Sequence, residues 1–299
     1  MNQLYRECRL CPRECGVDRT SGQQGFCGAT DSIRAARAAL HFWEEPCLSG
    51  ERGSGTVFFS GCSLKCVLCQ NREISAGEAG KEISAARLAD IFLELEEKGA
   101  HNINLVTPTH YLPSILDALS SAKARGLSLP VVYNTSGYEK ADILRLLDGL
   151  VDIWLPDFKY VSPLLAKRYS GTADYFLHAS SALTEMVRQA GTPLFDEDGI
   201  MQRGVIVRHL LLPGCEADSR EVIRYLYETY GDRIYLSIMN QYTPLPHVLA
   251  YPELNRTITP EEYDSILDYA ISLGVENGFI QEGGTAHESF IPPFDCEGI

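Results

Sequence analysis

Along most of this chain, short runs of apolar residues alternate with longer stretches in which apolar positions recur every three or four residues. The first spacing is that of buried strands and the second that of amphipathic helices. The pattern predicts strands at Thr56–Ser60 (TVFFS), Ile103–Thr107 (INLVT), Val131–Thr135 (VVYNT), Ile153–Phe158 (IWLPDF), Val205–Leu212 (VIVRHLLL) and Ile234–Met239 (IYLSIM). Helical patterns lie between them. SAARLADIFLELEEKG opens on Ser84 as a cap and closes on Gly99, and LPSILDALSSAKARG, EKADILRLLDG, EVIRYLYETYG and PEEYDSILDYAISLG complete the alternation. The stretch from Ser162 to Arg203 is longer than one helix requires.

Continuous apolar strands separated by helices describe a parallel sheet buried on both faces. Six such units fit a partial or complete barrel, or a doubly wound sheet, and in each of these chemistry is expected at the carboxyl ends of the strands. The unusual polar segments fall there: GCSLKCVLCQN after the first strand, PTHY after the second, NTSGY at the third, PDFKY at the fourth, PGC after the fifth and NQYTP after the sixth.

The first 50 residues differ. Cys8, Cys11, Cys15 and Cys27 crowd together with Gly16, Gly22, Gly25 and Gly28, a loop-rich knuckle too small to be held by apolar burial, so metal is the expected staple. The expected organisation is therefore a cysteine-rich metal-binding segment over 1–50 and a barrel over 51–299. No stretch reaches the ~18 consecutive apolar residues that span a bilayer, so no membrane is expected as a partner. The start, MNQLYRECRLCPREC, lacks the apolar run of a secretory signal. A cytoplasmic protein is expected, in which clustered thiols bind metal in preference to forming disulfides. A net charge of -14 argues against a sequence-independent grip on nucleic acid and leaves a small substrate or a protein partner open.

Two cysteine sets carry candidate chemistry. Cys62, Cys66 and Cys69 form C-x3-C-x2-C directly after a buried strand. Three thiolates complete three corners of a tetrahedral site, or bind three irons of a cubane, and leave one position open. A structural zinc would need a fourth ligand, and no histidine follows Cys69 nearby. Cys8, Cys11, Cys15 and Cys27 form C-x2-C-x3-C-x11-C, four thiolates that close a shell, for which zinc and an iron–sulfur cluster both fit. Cys47, Cys215 and Cys296 are isolated, the last in a tail, IPPFDCEGI, expected either to fold back over the open barrel end or to be loose.

The C-x3-C-x2-C loop after the first strand resembles the hallmark of the radical S-adenosylmethionine (SAM) superfamily, in which three cysteines bind a 4Fe–4S cluster and the amino and carboxylate groups of SAM chelate the fourth iron. The resemblance implies an α/β fold, a partial (β/α)6 TIM-like barrel with the small cysteine-rich segment in front. More closely, the chain resembles pyruvate formate-lyase activating enzymes and their uncharacterised relatives with an N-terminal four-cysteine motif. The likeness rests on Gln70 and Asn71 in CQN, on NTSGY, on Asp157 and Lys159 in DFK, on Arg208 in VRHLLLPG, and on the order of these segments. By this resemblance Asn134, Thr135 and Ser136 meet the ribose, Gln241 in NQY reaches the adenine or ribose, and Lys159 and Arg208 face the SAM carboxylate, with Asp157 either orienting Lys159 or binding the ligand's ammonium. Where that branch carries Gly-Gly-Glu after the second strand, this chain has Thr107, Pro108, Thr109, His110 and Tyr111. Hydroxyls of Thr107 and Thr109 are then expected to receive the SAM ammonium, and His110 is a candidate catalytic acid or base or a packed structural histidine.

The activity implied is reductive cleavage of SAM to a 5'-deoxyadenosyl radical that abstracts hydrogen, with a glycyl-radical enzyme as one substrate and a flavodoxin or ferredoxin as electron donor. A radical SAM enzyme acting on another peptide or a small molecule, and a non-catalytic zinc or iron–sulfur protein, are the competing readings.

Overall fold

The computed structural model describes residues 3–281 and 291–299. Its strands are β1 (Ile33–His41), β2 (Ser54–Phe59), β3 (Lys81–Ile83), β4 (Ile103–Val106), β5 (Val131–Thr135), β6 (Ile153–Pro156), β7 (Leu194–Phe195), β8 (Met201–Leu210), β9 (Tyr235–Met239) and β10 (Gly278–Ile280). Along the sheet they lie in the order β10-β9-β8-β6-β5-β4-β2-β1-β3, with β7 attached to β8. From β2 through to β10 every neighbouring pair is parallel, while β1 pairs antiparallel with both β2 and β3. The sheet does not close: β3 and β10 end it, and the architecture is a partial barrel.

Both faces of β2, β4, β5 and β6 are buried, which is why they read as unbroken apolar runs. Val57, Phe59, Leu105, Tyr133, Trp154, Val207 and Leu236 point outward and pack with the helices, while Phe58, Val106, Val132, Leu155 and Ile206 belong to clusters inside the barrel. Helix Ala85–Glu97 shows how the outer layer forms. The Ser84 side chain accepts from the Arg87 amide as N-cap, and Leu88, Ile91, Phe92 and Leu95 at helical spacing bury against the sheet. Helix Pro260–Leu273 begins with a reciprocal capping box between Thr259 and Glu262.

Three parts of the architecture extend the sequence expectation. β10 adds a seventh parallel strand. The segment after Ser162 resolves into helices Pro163–Ser170 and Tyr175–Ala190 followed by the β7–β8 hairpin, so β8 begins at Met201, upstream of the expected Val205. Residues 33–50, expected with the cysteine-rich segment, join the barrel: β1 pairs along β2, and the turn Pro46–Ser49 enters the interior. There Cys47 and Leu48 pack on Val132, Ile153, Leu155, Met201 and Ile206, and Asn102 at the start of β4 donates to the Leu48 carbonyl at 2.8 Å. This turn is the floor of the barrel, at the amino ends of the strands.

The C-terminal tail folds back and is not loose. Cys296 donates to the Ala36 carbonyl and Ala38 to the Glu297 carbonyl, both at 2.8 Å. Arg37 pairs with Asp295 and Glu297, and Phe294 sets its ring edge-on to Phe58 with centroids 5.6 Å apart.

Leu48 is fully buried, whereas Leu164 is 79% exposed. Leu48→Ala is expected to lower unfolding free energy by about 2–4 kcal/mol, and Leu164→Ala by less than about 0.5 kcal/mol, in urea titrations of the two variants beside the parent.

Candidate active site at the carboxyl ends of the strands

A cavity of about 540 Å³ opens at the carboxyl ends of the parallel strands. Of the residues singled out in the barrel sequence, Cys62, Cys66, Cys69, Gln70, Asn71, Thr107, Asn134, Thr135, Ser136, Asp157, Lys159, Arg208 and Gln241 line it together. They come from loops after β2 and β4, from β5 and β8, and from the ends of β6 and β9, so parallel strand direction is what makes them neighbours. Thr109 and His110 are not among the lining residues.

The polar side of the cavity is one connected set of charges. Lys159 Nζ donates to Asp157 Oδ2 at 2.6 Å, and Arg208 Nε donates to Asp157 Oδ1 at 3.2 Å. Arg208 also donates to Glu44 Oε2 at 3.0 Å and to Asn134 Oδ1 at 2.6 Å. Glu44 Oε1 in turn accepts from Asn104 Nδ2 at 2.9 Å. Burial opposes the charges of Asp157, Lys159 and Arg208, but mutual attraction prevails: Lys159 and Asp157 hold each other ionised, the ammonium raised and the carboxyl lowered from their ordinary ranges, and Arg208 is raised by Asp157 and Glu44. Glu44 also lines the cavity, although it is not among the residues that the sequence marks. It stands outside the barrel strands, in the connection between β1 and β2, where no motif marks it.

The cysteine loop is held by its own backbone and by a neighbouring helix. Cys62 Sγ accepts from the Leu64 amide at 3.4 Å, and Cys66 Sγ lies 3.0 Å from Ser170 Oγ. Burial pushes the Cys62 thiol up and the Cys69 thiol up to about 12, with neighbouring cysteines adding to both. Cys62 and Cys69, which resist ionisation alone, face one cavity together with Cys66, an arrangement that suits a cationic centre able to stabilise thiolates. Gly61 starts the loop at φ +95°, and a Cβ there would fall 2.8 Å from the Cys27 carbonyl oxygen, so only glycine fits. On the far side, Gln70 Nε2 donates to the Gln241 carbonyl and Gln281 Nε2 to Gln241 Oε1, each at 2.8 Å.

Thr107 ends β4 at φ +57°, a left-handed conformation costly for a β-branched residue, in the stretch where the activating-enzyme pattern carries glycines. The turn leaves Thr107 on the cavity and carries the next residues behind the sheet. Thr109 Oγ1 donates to Glu139 Oε1 at 2.5 Å, and Thr135 donates to the same oxygen. His110 is 2% exposed, its Nε2 is 2.7 Å from the Ser60 carbonyl oxygen, and burial lowers its pKa to about 3. His110 is thus a neutral, packed side chain between the two cysteine segments, and its ring does not face the cavity.

The N-terminal knuckle sits directly on the cysteine loop. Arg13 donates to the Ser63 carbonyl at 2.9 Å and to the Ser170 carbonyl at 3.1 Å, while the buried Arg19 donates to the His110 carbonyl at 2.5 Å. Burial pushes Cys11 up to about 12, with Glu139, Cys27 and Cys8 adding; Cys27 is raised chiefly by burial and also by Cys8 and Cys15. The four thiols thus share a neighbourhood, but among the described residues no three His, Cys, Asp or Glu side chains are gathered so as to hold one metal ion. Among those residues, too, no helix is long and apolar enough to cross a membrane.

Glu139, almost fully buried behind Thr135, has its carboxyl pushed up from the ordinary 4.5 to about 7 by burial. Its stabilising contribution is therefore complete below about pH 4.5 and lost as pH rises through about 7. Glu139→Gln is expected to remove this dependence, so that the stability difference between parent and variant moves in the variant's favour by ~2–4 kcal/mol between pH 4.5 and 8 in urea titrations.

Comparison with known proteins places the chain. Residues 56–195 match the radical SAM superfamily. An uncharacterised protein of Methanocaldococcus jannaschii, MJ0674, is 31% identical over 276 residues, which cover 89% of this chain and 75% of the relative. Among solved structures, Streptococcus suis SuiB bound to S-adenosylmethionine is 14% identical with a TM-score of 0.49, over 74% of this chain and 48% of SuiB. The chain thus spans about half of SuiB's length. A domain of a pyruvate-formate lyase-activating enzyme from Bacteroides vulgatus is 12% identical with a TM-score of 0.38, over 57% of this chain and 92% of that domain. With a three-cysteine loop after the first parallel strand and a match across that loop and the strands that follow, the chain belongs to the radical SAM superfamily.

Proposed function

We propose that this protein is an enzyme that binds a 4Fe–4S cluster on Cys62, Cys66 and Cys69 and cleaves S-adenosylmethionine reductively. The observation that carries this reading is the convergence of the three thiols with Lys159, Asp157 and Asn134–Ser136 on one cavity. When bound, the cluster would supply one electron, delivered by a flavodoxin- or ferredoxin-like donor, for conversion of SAM to methionine and a 5'-deoxyadenosyl radical.

The protein's own part is binding and exclusion. Lys159 keeps two N–H directions beyond its bond to Asp157 and can receive a carboxylate. Asn134 and Ser136 offer short polar groups for ribose hydroxyls, and Gly137 at φ +78° lets the end of β5 pack directly against the Asp157 carbonyl and the Tyr175 hydroxyl, where a Cβ would clash. Thr107 is the residue of the altered second-strand motif that remains at the cavity, so we assign the ligand's amino group to it and not to Thr109. Phe58, Val106, Leu210 and Met239 line the rest and limit water around a reactive radical.

For the hydrogen donor we favour a peptide segment, of which the glycine loop of a glycyl-radical enzyme is one example. Trp43, just after β1, lines the cavity and is 64% exposed, so the cavity reaches the surface beside an aromatic side chain suited to contact with a polypeptide. For Cys8, Cys11, Cys15 and Cys27 we propose a four-thiolate site for zinc or a second cluster that braces the loop it sits on.

After anaerobic reconstitution with iron and sulfide, the parent is expected to release 5'-deoxyadenosine from SAM in the presence of dithionite, and the Cys62→Ala/Cys66→Ala/Cys69→Ala variant to release none by chromatography. An intact cluster without product would count against the reading. The same triple variant reports on the knuckle. It should retain about one zinc or about four irons per chain by elemental analysis, lost on further substitution of Cys11 and Cys27, and a metal-free triple variant would remove the second site.

A further inference from the structure

The Glu44 side chain is only 7% exposed and faces the cavity. It approaches from the floor side, just ahead of the turn that Cys47 and Leu48 anchor inside the barrel. All three nitrogens of the Arg208 guanidinium donate to protein acceptors: Nε to Asp157, one terminal nitrogen to Glu44 and the other to Asn134. Arg208 is therefore held by the protein through all three of its nitrogens, with one N–H left on each terminal nitrogen, and Lys159, tied by a side-chain bond to Asp157 alone, is the freer cation to turn toward a ligand. The set holds two cations, Arg208 and Lys159, against two carboxylates, Asp157 and Glu44. The adjacent Glu45 is also buried, one of its oxygens has no partner among the described residues, and burial pushes its carboxyl toward the neutral form.

On the reading that the cavity takes SAM, we propose that Glu44 sets the charge of the site: by cancelling Arg208 it leaves a cavity of balanced charge that admits the cationic sulfonium, with Lys159 left to meet the carboxylate. Without Glu44, Arg208 and Lys159 would share Asp157 alone and the set would carry one excess positive charge within range of any positive ligand, and the repulsion would fall on the sulfonium whatever the fit of adenine and ribose. Glu44 is a positioning residue in this account, acting through Arg208.

The test is equilibrium binding of SAM and of S-adenosylhomocysteine, its thioether counterpart with one positive charge fewer, to the reconstituted protein. Glu44→Gln keeps the shape and removes the charge. It is expected to weaken SAM about tenfold while changing S-adenosylhomocysteine by less than about threefold. Glu44→Asp keeps the charge, so the SAM to S-adenosylhomocysteine ratio should stay at the parent value even where both affinities fall. Arg208→Gln should move the ratio in the opposite direction to Glu44→Gln, and it carries the test if Glu44→Gln does not fold. Parallel weakening of both ligands in Glu44→Gln, or the same ratio change in the Gln and Asp variants, would overturn the role of Glu44. A parent that binds neither ligand would instead overturn the SAM reading and the inference with it.

Discussion

A guanidinium and an ammonium enclosed by parallel strands must each meet a carboxylate, because an unpaired buried charge costs several kcal/mol. Much of this protein follows from that constraint. Arg208 on β8 and Lys159 just beyond β6 share Asp157, and the second carboxylate comes from Glu44, outside the run of parallel strands. To deliver it, the chain descends along β1, turns inside the barrel at Pro46–Ser49 and only then begins the parallel sheet. Asn104 and Asn134, inward-facing on β4 and β5, give Glu44 and Arg208 the hydrogen bonds that water would otherwise supply.

The same economy of partners links the two cysteine segments. The loop bearing Cys62, Cys66 and Cys69 has little regular structure of its own, and its outer surface is covered by the knuckle. Arg13 ties Ser63 to Ser170, the residue beside Cys66, and Gly61 passes close against Cys27. His110, with its ring against Ser60 and its carbonyl on Arg19, fills the space between them. A change in the knuckle would therefore be felt by the loop through direct contacts.

How far the sequence reveals the fold depends on whether an element's partners are local or uniform. The parallel strands were legible because both of their faces are apolar, and the cysteine loop because its spacing lies within eight residues. β1 was not, since Arg34 and Arg37 interrupt its apolar pattern and find acceptors far away in sequence, at Gly77 and Gly80 and in the C-terminal tail. β10, three residues long, offers too short a run to register. In the Thr-Pro-Thr-His segment, Thr107 and Thr109 are chemically alike; the left-handed turn at Thr107 keeps one at the cavity and sends the other to Glu139.

The sequence by itself determined the alternation of strands and helices, the three-thiol and four-thiol sets, and the order of polar segments at one rim, because each is written in contiguous residues and local spacing. Only the tertiary structure decided that Glu44 belongs to the site, that Arg208 is held through all three of its nitrogens, that His110 is packed away from the cavity and that the knuckle rests on the cysteine loop. These are pairings between residues 50 to 164 positions apart, and what selects them is the cost of burying a charge or a polar atom without a partner, which becomes definite only once the chain has closed around it.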